Sequence, residues 1–222
     1  MAARDIRLSD KAAPAAFIRF YLVGFALFAF TPTRELFIAL ITPSLVLAIT
    51  AVLAFHKGWN ARTVAWFVFI VVSSFLLEMY GVHSGRVFGT YSYGRGLAPL
   101  VRGTPLVIGL NWLLLVYASH DAARRMLPAK AGSAGRIVAA ALLMIAYDLL
   151  LEWVAPFMRM WSFGQGYPPF RNFAAWFAAA VVYQSGIEAL RIRCDNRPAV
   201  FLFFCQMAFF LLAGIYSEIF IR

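Results

Sequence analysis

Apolar residues in this chain fall in long unbroken runs, separated by short polar stretches. They show neither the period-two alternation of half-buried strands nor the narrow stripe of a soluble amphipathic helix. A helix that crosses a membrane needs about 20 mainly apolar residues. Seven segments fit that description: residues 15–31, 35–55, 63–80, 104–119, 136–155, 172–190 and 198–220. The pattern therefore predicts an all-α integral membrane bundle of about seven transmembrane helices, folded as a single domain over residues 1–222. Pro43 lies inside the second segment, where a membrane helix tolerates it with a local kink. The fourth segment is short for a span, which predicts a tilt or an earlier start.

Composition agrees with the pattern. Hydrophobic residues make up 63% of the chain and charged residues 14%, against about 45–50% and about 25% in soluble domains. A net charge of +10 in a soluble protein would point to nucleic acid. In a chain this apolar it points instead to basic loops beside anionic lipid head groups, so membrane lipids are expected partners and nucleic acid is not. With the N-terminus cytoplasmic, the inner loops carry Arg4, Arg7, Lys11, Lys57, Arg62, Arg124, Arg125, Lys130, Arg136, Arg191, Arg193 and Arg197. The outer ones carry Arg34, Arg86, Arg95, Arg102, Arg159, Arg171 and Arg222. This bias predicts a multi-pass protein of the bacterial inner membrane with its N-terminus inside. Residues 1–14 lack the h-region and small-residue site of a cleaved signal peptide. Cys194 and Cys205 support neither a disulfide nor a metal site.

Two loops on one side of this topology resemble each other. The first contains Tyr91-Ser92-Tyr93-Gly94-Arg95-Gly96, the second Trp161-Ser162-Phe163-Gly164-Gln165-Gly166. Each follows a helix that ends in a carboxylate. Each precedes prolines and then an Asn and a Trp, namely Asn111-Trp112 and Asn172 with Trp176. The pattern suggests an internal repeat, 63–119 with 136–190, about an axis along the membrane normal. Chance in an aromatic- and glycine-rich chain is the competing account.

An ionisable group inside a membrane helix costs about 2.5–3.5 kcal/mol on insertion scales and is a functional candidate by default. Glu78, Asp148 and Glu152 meet that description. Asp148 and Glu152 lie one turn apart on one helical face. Two carboxylates so placed do not both ionise comfortably, which leaves a proton for a general acid. Pairing with Arg86, Arg95, Arg159 or Arg171 is the structural alternative. Glu188 and Glu218 are spaced for interfacial ion pairs with Arg191 and Arg222. Asn111 is either a contact between helices or part of a site, whereas Gln184 and Gln206 read as contacts between helices. His56, His83 and His120 are not at metal-ligand spacing; His83 reads as a loop hydrogen-bonding residue or a site contact. Nucleotide, phosphate-loop and diphosphate–metal motifs are absent, so no cofactor or metal is expected. Tyr91, Tyr93, Trp153, Trp161, Phe163 and Trp176 form either an interfacial belt or a π-lined pocket able to stabilise a cation.

The run Glu78-x-x-Gly81-Val82-x-Ser84-Gly85-x-x-Phe88-Gly89-x-Tyr91-x-Tyr93 resembles the signature of the membrane carotenoid-biosynthesis proteins. That family includes cofactor-independent hydratases of γ-carotene and of bisanhydrobacterioruberin. Similarity continues through Thr104-Pro105 to Asn111-Trp112, Asp148-x-x-x-Glu152, Trp161-Ser162-Phe163, Pro169 and Asn172-x-x-x-Trp176. It covers about residues 78–176. The chain departs from the pattern at Ser84, Trp153 and Phe163, where Thr, Pro and Trp are expected.

The resemblance implies hydration of a terminal isoprenoid double bond of an acyclic carotenoid. The alkene is protonated to a tertiary carbocation, which water captures. Asp148 or Glu152 is then the expected proton donor, with Glu78 orienting the water. Tyr91, Tyr93, Trp161 and Trp176 are expected to contact the substrate, together with Asn111, Asn172, Phe88, Arg86 and His83. A C40 polyene is about as long as the hydrocarbon core is thick, about 30 Å. Two other readings stay open: cyclisation or isomerisation through the same cation, and a small transporter or channel whose carboxylates relay protons.

Overall fold

The computed structural model describes residues 12–221. Arg4, Arg7, Lys11 and Arg222, which bear on the charge bias, lie outside the described residues. Among the described residues seven α-helices follow one another: α1 (Ala13–Ala29), α2 (Arg34–Ala54), α3 (Ala61–Ser84), α4 (Ile108–Met126), α5 (Gly132–Val154), α6 (Phe170–Ala189) and α7 (Arg197–Phe220). Four stretches are long and apolar enough to cross a membrane on their own: Thr31–Ala54, Ala61–Ser84, Ala129–Val154 and Arg197–Phe220. The molecule is an all-α membrane bundle.

Local sequence explains where the helices begin and stop. Asn60 caps α3, its side chain accepting a hydrogen bond from Thr63 N at 3.0 Å. Asn196 caps α7 in the same way through Ala199 N at 3.1 Å. Each cap satisfies an amide that the first helical turn leaves unpaired. Pro14 and Pro198 occupy the first turns of α1 and α7, where the missing N–H is no loss. At the other end of α3, Gly85 takes the left-handed conformation that closes the helix (φ 60°).

α4 is the hub. Nearly every residue from Ile108 to Ala123 is buried, because α2, α3, α5, α6 and α7 all pack around it. A helix surrounded by protein rather than lipid can carry polar groups, provided they find partners. The hydropathy reading expects seven spans, whereas α1, α4 and α6 do not meet the length and hydropathy of a membrane span on their own. The burial of α4 accounts for a further difference. The fourth segment does not begin earlier than expected; it starts at Ile108 and runs on to Met126. Its polar end, Ser119-His120-Asp121, is buried among protein partners.

Contacts sort the connections between two ends of the bundle. At one end Glu35, in the first turn of α2, binds Arg95 and Arg159 of the α3–α4 and α5–α6 loops. At the other, Arg62 donates to Leu190 O at 3.3 Å, and Arg124 and Arg125 of α4 bind Asp195 before α7. Glu188 is held by Arg136 of α5 at 2.7 Å and by Ser133. Arg136, and His120 of α4 at 3.5 Å, therefore face Glu188 from other helices in place of Arg191, which itself takes φ 52°.

Candidate active site

Four short strands decorate the bundle: β1 (Tyr91–Tyr93), β2 (Leu100–Val101), β3 (Thr104–Pro105) and β4 (Trp161–Phe163). The two similar loops meet here. β1 and β4 pair antiparallel, with Ser92 opposite Ser162, Tyr91 opposite Phe163 and Tyr93 opposite Trp161. The pairing continues through Gly94 N to Met160 O and Gly96 N to Arg159 O, both at 2.8 Å. A side chain at Gly96 has no room, since a Cβ there would lie 2.7 Å from Met158 O. The glycines of the first hexamer thus let the two loops close backbone to backbone.

This closure fixes the aromatic donors around Glu78. Alternate residues of a strand share a face, so Tyr91 and Tyr93 both reach Glu78. Their hydroxyls donate to Oε2 at 2.7 and 2.9 Å. Trp112 Nε1, from the first turns of α4, donates to Oε1 at 3.0 Å. Glu78 is buried and accepts from three neutral donors. Burial, and then the adjacent Glu78 carboxylate, push both phenols well above their ordinary range, so they remain donors.

Asp148 and Glu152 are buried on one face of α5. Asn172 Nδ2, at the start of α6, donates to Asp148 Oδ2 at 3.1 Å and to Glu152 Oε1 at 3.2 Å. Trp161 Nε1 donates to Glu152 Oε2 at 2.8 Å. Beside these carboxylates, Asp148 Oδ1 and Asn111 Oδ1 are buried without a hydrogen-bond partner. No Lys or Arg forms an ion pair with the three carboxylates among the described residues. Arg95 and Arg159 are held by Glu35, and Arg86 and Arg171 are exposed.

Glu78, Glu152, Asn111 and Asn172 line one small cavity with Phe88, Tyr91, Tyr93, Trp161, Phe163, Trp176 and Ile108. Its free volume is about 20 Å³, enough for one water molecule. Asp148 stands behind it and reaches it through Asn172 and Glu152. Trp176 is stacked on Trp112, with ring centroids 4.1 Å apart. Of the residues singled out from the sequence, His83 and Arg86 are not brought here. Both are exposed, and His83 Nδ1 donates to Met79 O at 2.8 Å. Phe163, one of the aromatics read as belt or pocket, lines the cavity and Trp153 does not; Trp112 and Ile108 were not among the expected contacts. The position of Trp112 beside Asn111, in the motif that Asn172 and Trp176 echo, was the available signal.

Trp112→Phe tests the Glu78 cradle. The ring can still stack on Trp176, but Oε1 of a buried carboxylate loses its donor, at a cost of about 1–3 kcal/mol. A lower apparent Tm of the detergent-solubilised protein is the expected result. An unchanged Tm would show that Oε1 does not depend on the indole.

The sequence matches the carotenoid biosynthesis protein family over residues 37–220, which takes in both loops and all the cavity residues. The bisanhydrobacterioruberin hydratase of Haloarcula japonica is 25% identical over 164 residues, 66% of this chain and 53% of that protein. The chain thus spans about half the length of the curated relative it matches. No solved structure matches it. With the family match running through six of the seven helices and every residue of the buried carboxylate cavity, the chain belongs to the carotenoid biosynthesis protein family.

Proposed function

We propose that the protein is a carotenoid hydratase that adds water to a terminal isoprenoid double bond of an acyclic carotenoid. One observation carries the reading: two buried carboxylates, Glu78 and Glu152, face a single aromatic-lined cavity with room for one water. Hydration of an alkene needs a proton donor, a positioned water, and walls that stabilise a cation without trapping it.

In this reading Glu152 is the acid. It lines the cavity, whereas Asp148 is set back from it, and one amide, Asn172, bridges the pair. With no cation beside them, the two carboxylates share a proton. Glu152 passes that proton to the less substituted alkene carbon, and the C=C π pair forms the new C–H bond. The adjacent carbon becomes a tertiary cation faced by Tyr93, Trp161, Phe163 and Trp176. Water held by Asn111 Oδ1, the unpartnered acceptor in the wall, forms the C–O bond. The proton it sheds goes to Glu78, which lines the same cavity, and its return to the Asp148–Glu152 pair restores the starting state. Net, one H and one OH are added across the double bond.

Two structural readings go with the proposal. The β1/β4 pairing of like residues supports 63–119 and 136–190 as an internal repeat. The charge bias supports placing the loop-bearing end away from the cytoplasm. The catalytic claim is tested in cells that accumulate an acyclic carotene and produce this protein. The expected pigment is heavier by one water per reacted end and takes up ¹⁸O from labelled water. A cyclised or isomerised pigment of unchanged mass, or unaltered carotene, would overturn it.

A further inference from the structure

A second cavity lies on the other side of the Met158–Trp161 segment, between α1, α2 and α7. It is about 190 Å³, far larger than the one-water space beside the carboxylates. Phe20 and Gly24 of α1, Leu40 of α2 and Phe209 of α7 contribute to its apolar wall. Phe20 and Leu40 are also partly exposed at the outer face of the bundle, which opens the groove to lipid. The wall carries three polar side chains, Tyr21, Ser44 and Gln206. Gln206 is 3% exposed and its amide meets the Tyr21 phenol, but its Oε1 has no hydrogen-bond partner. An unsatisfied buried acceptor in an apolar groove is costly unless a ligand supplies a donor.

A hydrocarbon end has no donor; a hydrated end has one. Resting on the hydration reading, we propose that this groove binds the product end, an isoprenoid chain carrying a tertiary hydroxyl that donates to Gln206 Oε1. The wall between the two cavities is built for such a transfer. Met158 and Met160 line the groove, and Trp161, the next residue, lines the carboxylate cavity and holds Glu152. Unbranched, polarisable methionines are the side chains most easily rearranged to let a chain pass.

The test uses the detergent-solubilised full chain and two tritiated probes, a C20 linear isoprenoid tertiary alcohol and the same chain without the hydroxyl. The wild type is expected to retain the alcohol about 10-fold more tightly, the value of about one hydrogen bond. Gln206→Leu should level the two affinities. Gly24→Phe should lose both probes. The first added carbon at Gly24 makes only an ordinary contact, 3.8 Å from Phe209, so the ring extends into open space. Leu40→Phe, from the opposite wall, should do the same. Equal wild-type affinity for the two probes would overturn the proposal, as would undiminished binding in both bulky variants. Competition by phospholipid acyl chains as strong as by the alcohol would assign the groove to lipid instead. Because the alcohol is supplied directly, a wild type that prefers it but makes no hydrated pigment would sink the hydration reading and leave the groove assignment standing.

Discussion

Glu152→Gln is expected to slow hydration by about 10²–10⁴-fold, the usual contribution of a positioned general acid. The substitution keeps the size of the side chain and removes the transferable proton. It also turns an amide N–H₂ toward one of the two donors that now meet Glu152, Trp161 Nε1 at 2.8 Å or Asn172 Nδ2 at 3.2 Å. That lost hydrogen bond costs about 1–3 kcal/mol of stability, so the rate should be compared per folded molecule. Asp148→Asn is the control. Asp148 is fully buried but does not line the cavity, so its loss should slow the reaction less. The measurement is product formed per mole of monodisperse protein from an acyclic carotene in detergent or lipid. A Glu152→Gln protein that hydrates at the wild-type rate would remove Glu152 from the chemistry. A larger loss from Asp148→Asn than from Glu152→Gln would exchange their roles.

Much of this architecture was legible because lipid imposes a blunt rule on sequence. The third segment, read as residues 63–80, is α3 at Ala61–Ser84, and the seventh, read as 198–220, is α7 at Arg197–Phe220. The rule fails where a helix faces protein on all sides. α4 runs seven residues past the expected end, because its polar tail is solvated by protein groups that hydropathy cannot anticipate. Glu78, Asp148 and Glu152 stood out for the same reason the helices did: charge in an apolar run is expensive.

Their partners were less legible. Glu35 meets Arg95 and Arg159 across the fold, and Glu188 meets Arg136 rather than a neighbour in its own helix. Such pairings depend on how helices pack, which short-range spacing does not encode. His83 illustrates the limit of proximity in sequence. It belongs to the same dense stretch as Glu78, but five residues along a helix rotate the side chain roughly 140° away. Glu78 and Gly81 are buried and His83 is exposed. The paired hexamers were visible as a repeat of letters. That they bind each other as β1 and β4, and so carry Tyr91, Tyr93 and Trp161 to two different carboxylates, required the tertiary structure.

The largest stability loss is expected far from this chemistry, at Asp121. The residue is fully buried near the end of α4. Oδ1 accepts from Arg124 Nη2 at 2.7 Å and Nε at 3.1 Å. Oδ2 accepts from Arg125 Nε at 3.1 Å and from Asn196 N at 2.8 Å. Asn196 in turn caps α7 and donates its Nδ2 to Val52 O at 2.8 Å. One carboxylate therefore ties the end of α4 to the start of α7 and, through Asn196, to the end of α2. Asp121→Ala strands a buried backbone N–H and takes the shared carboxylate from two guanidiniums. Breaking a buried pair costs about 3–5 kcal/mol. The lower end applies here, because Arg124 is 43% exposed and both arginines keep Asp195. Asp121→Asn retains an acceptor and should lose less. The expected signature is the reverse of Glu152→Gln: a sharply lower apparent Tm and yield, with near-normal turnover in the molecules that do fold. An Asp121→Ala protein within about 1 kcal/mol of wild type would mean that Asp195 and solvent fully replace the lost carboxylate, and that the α2–α4–α7 junction is held by apolar packing alone.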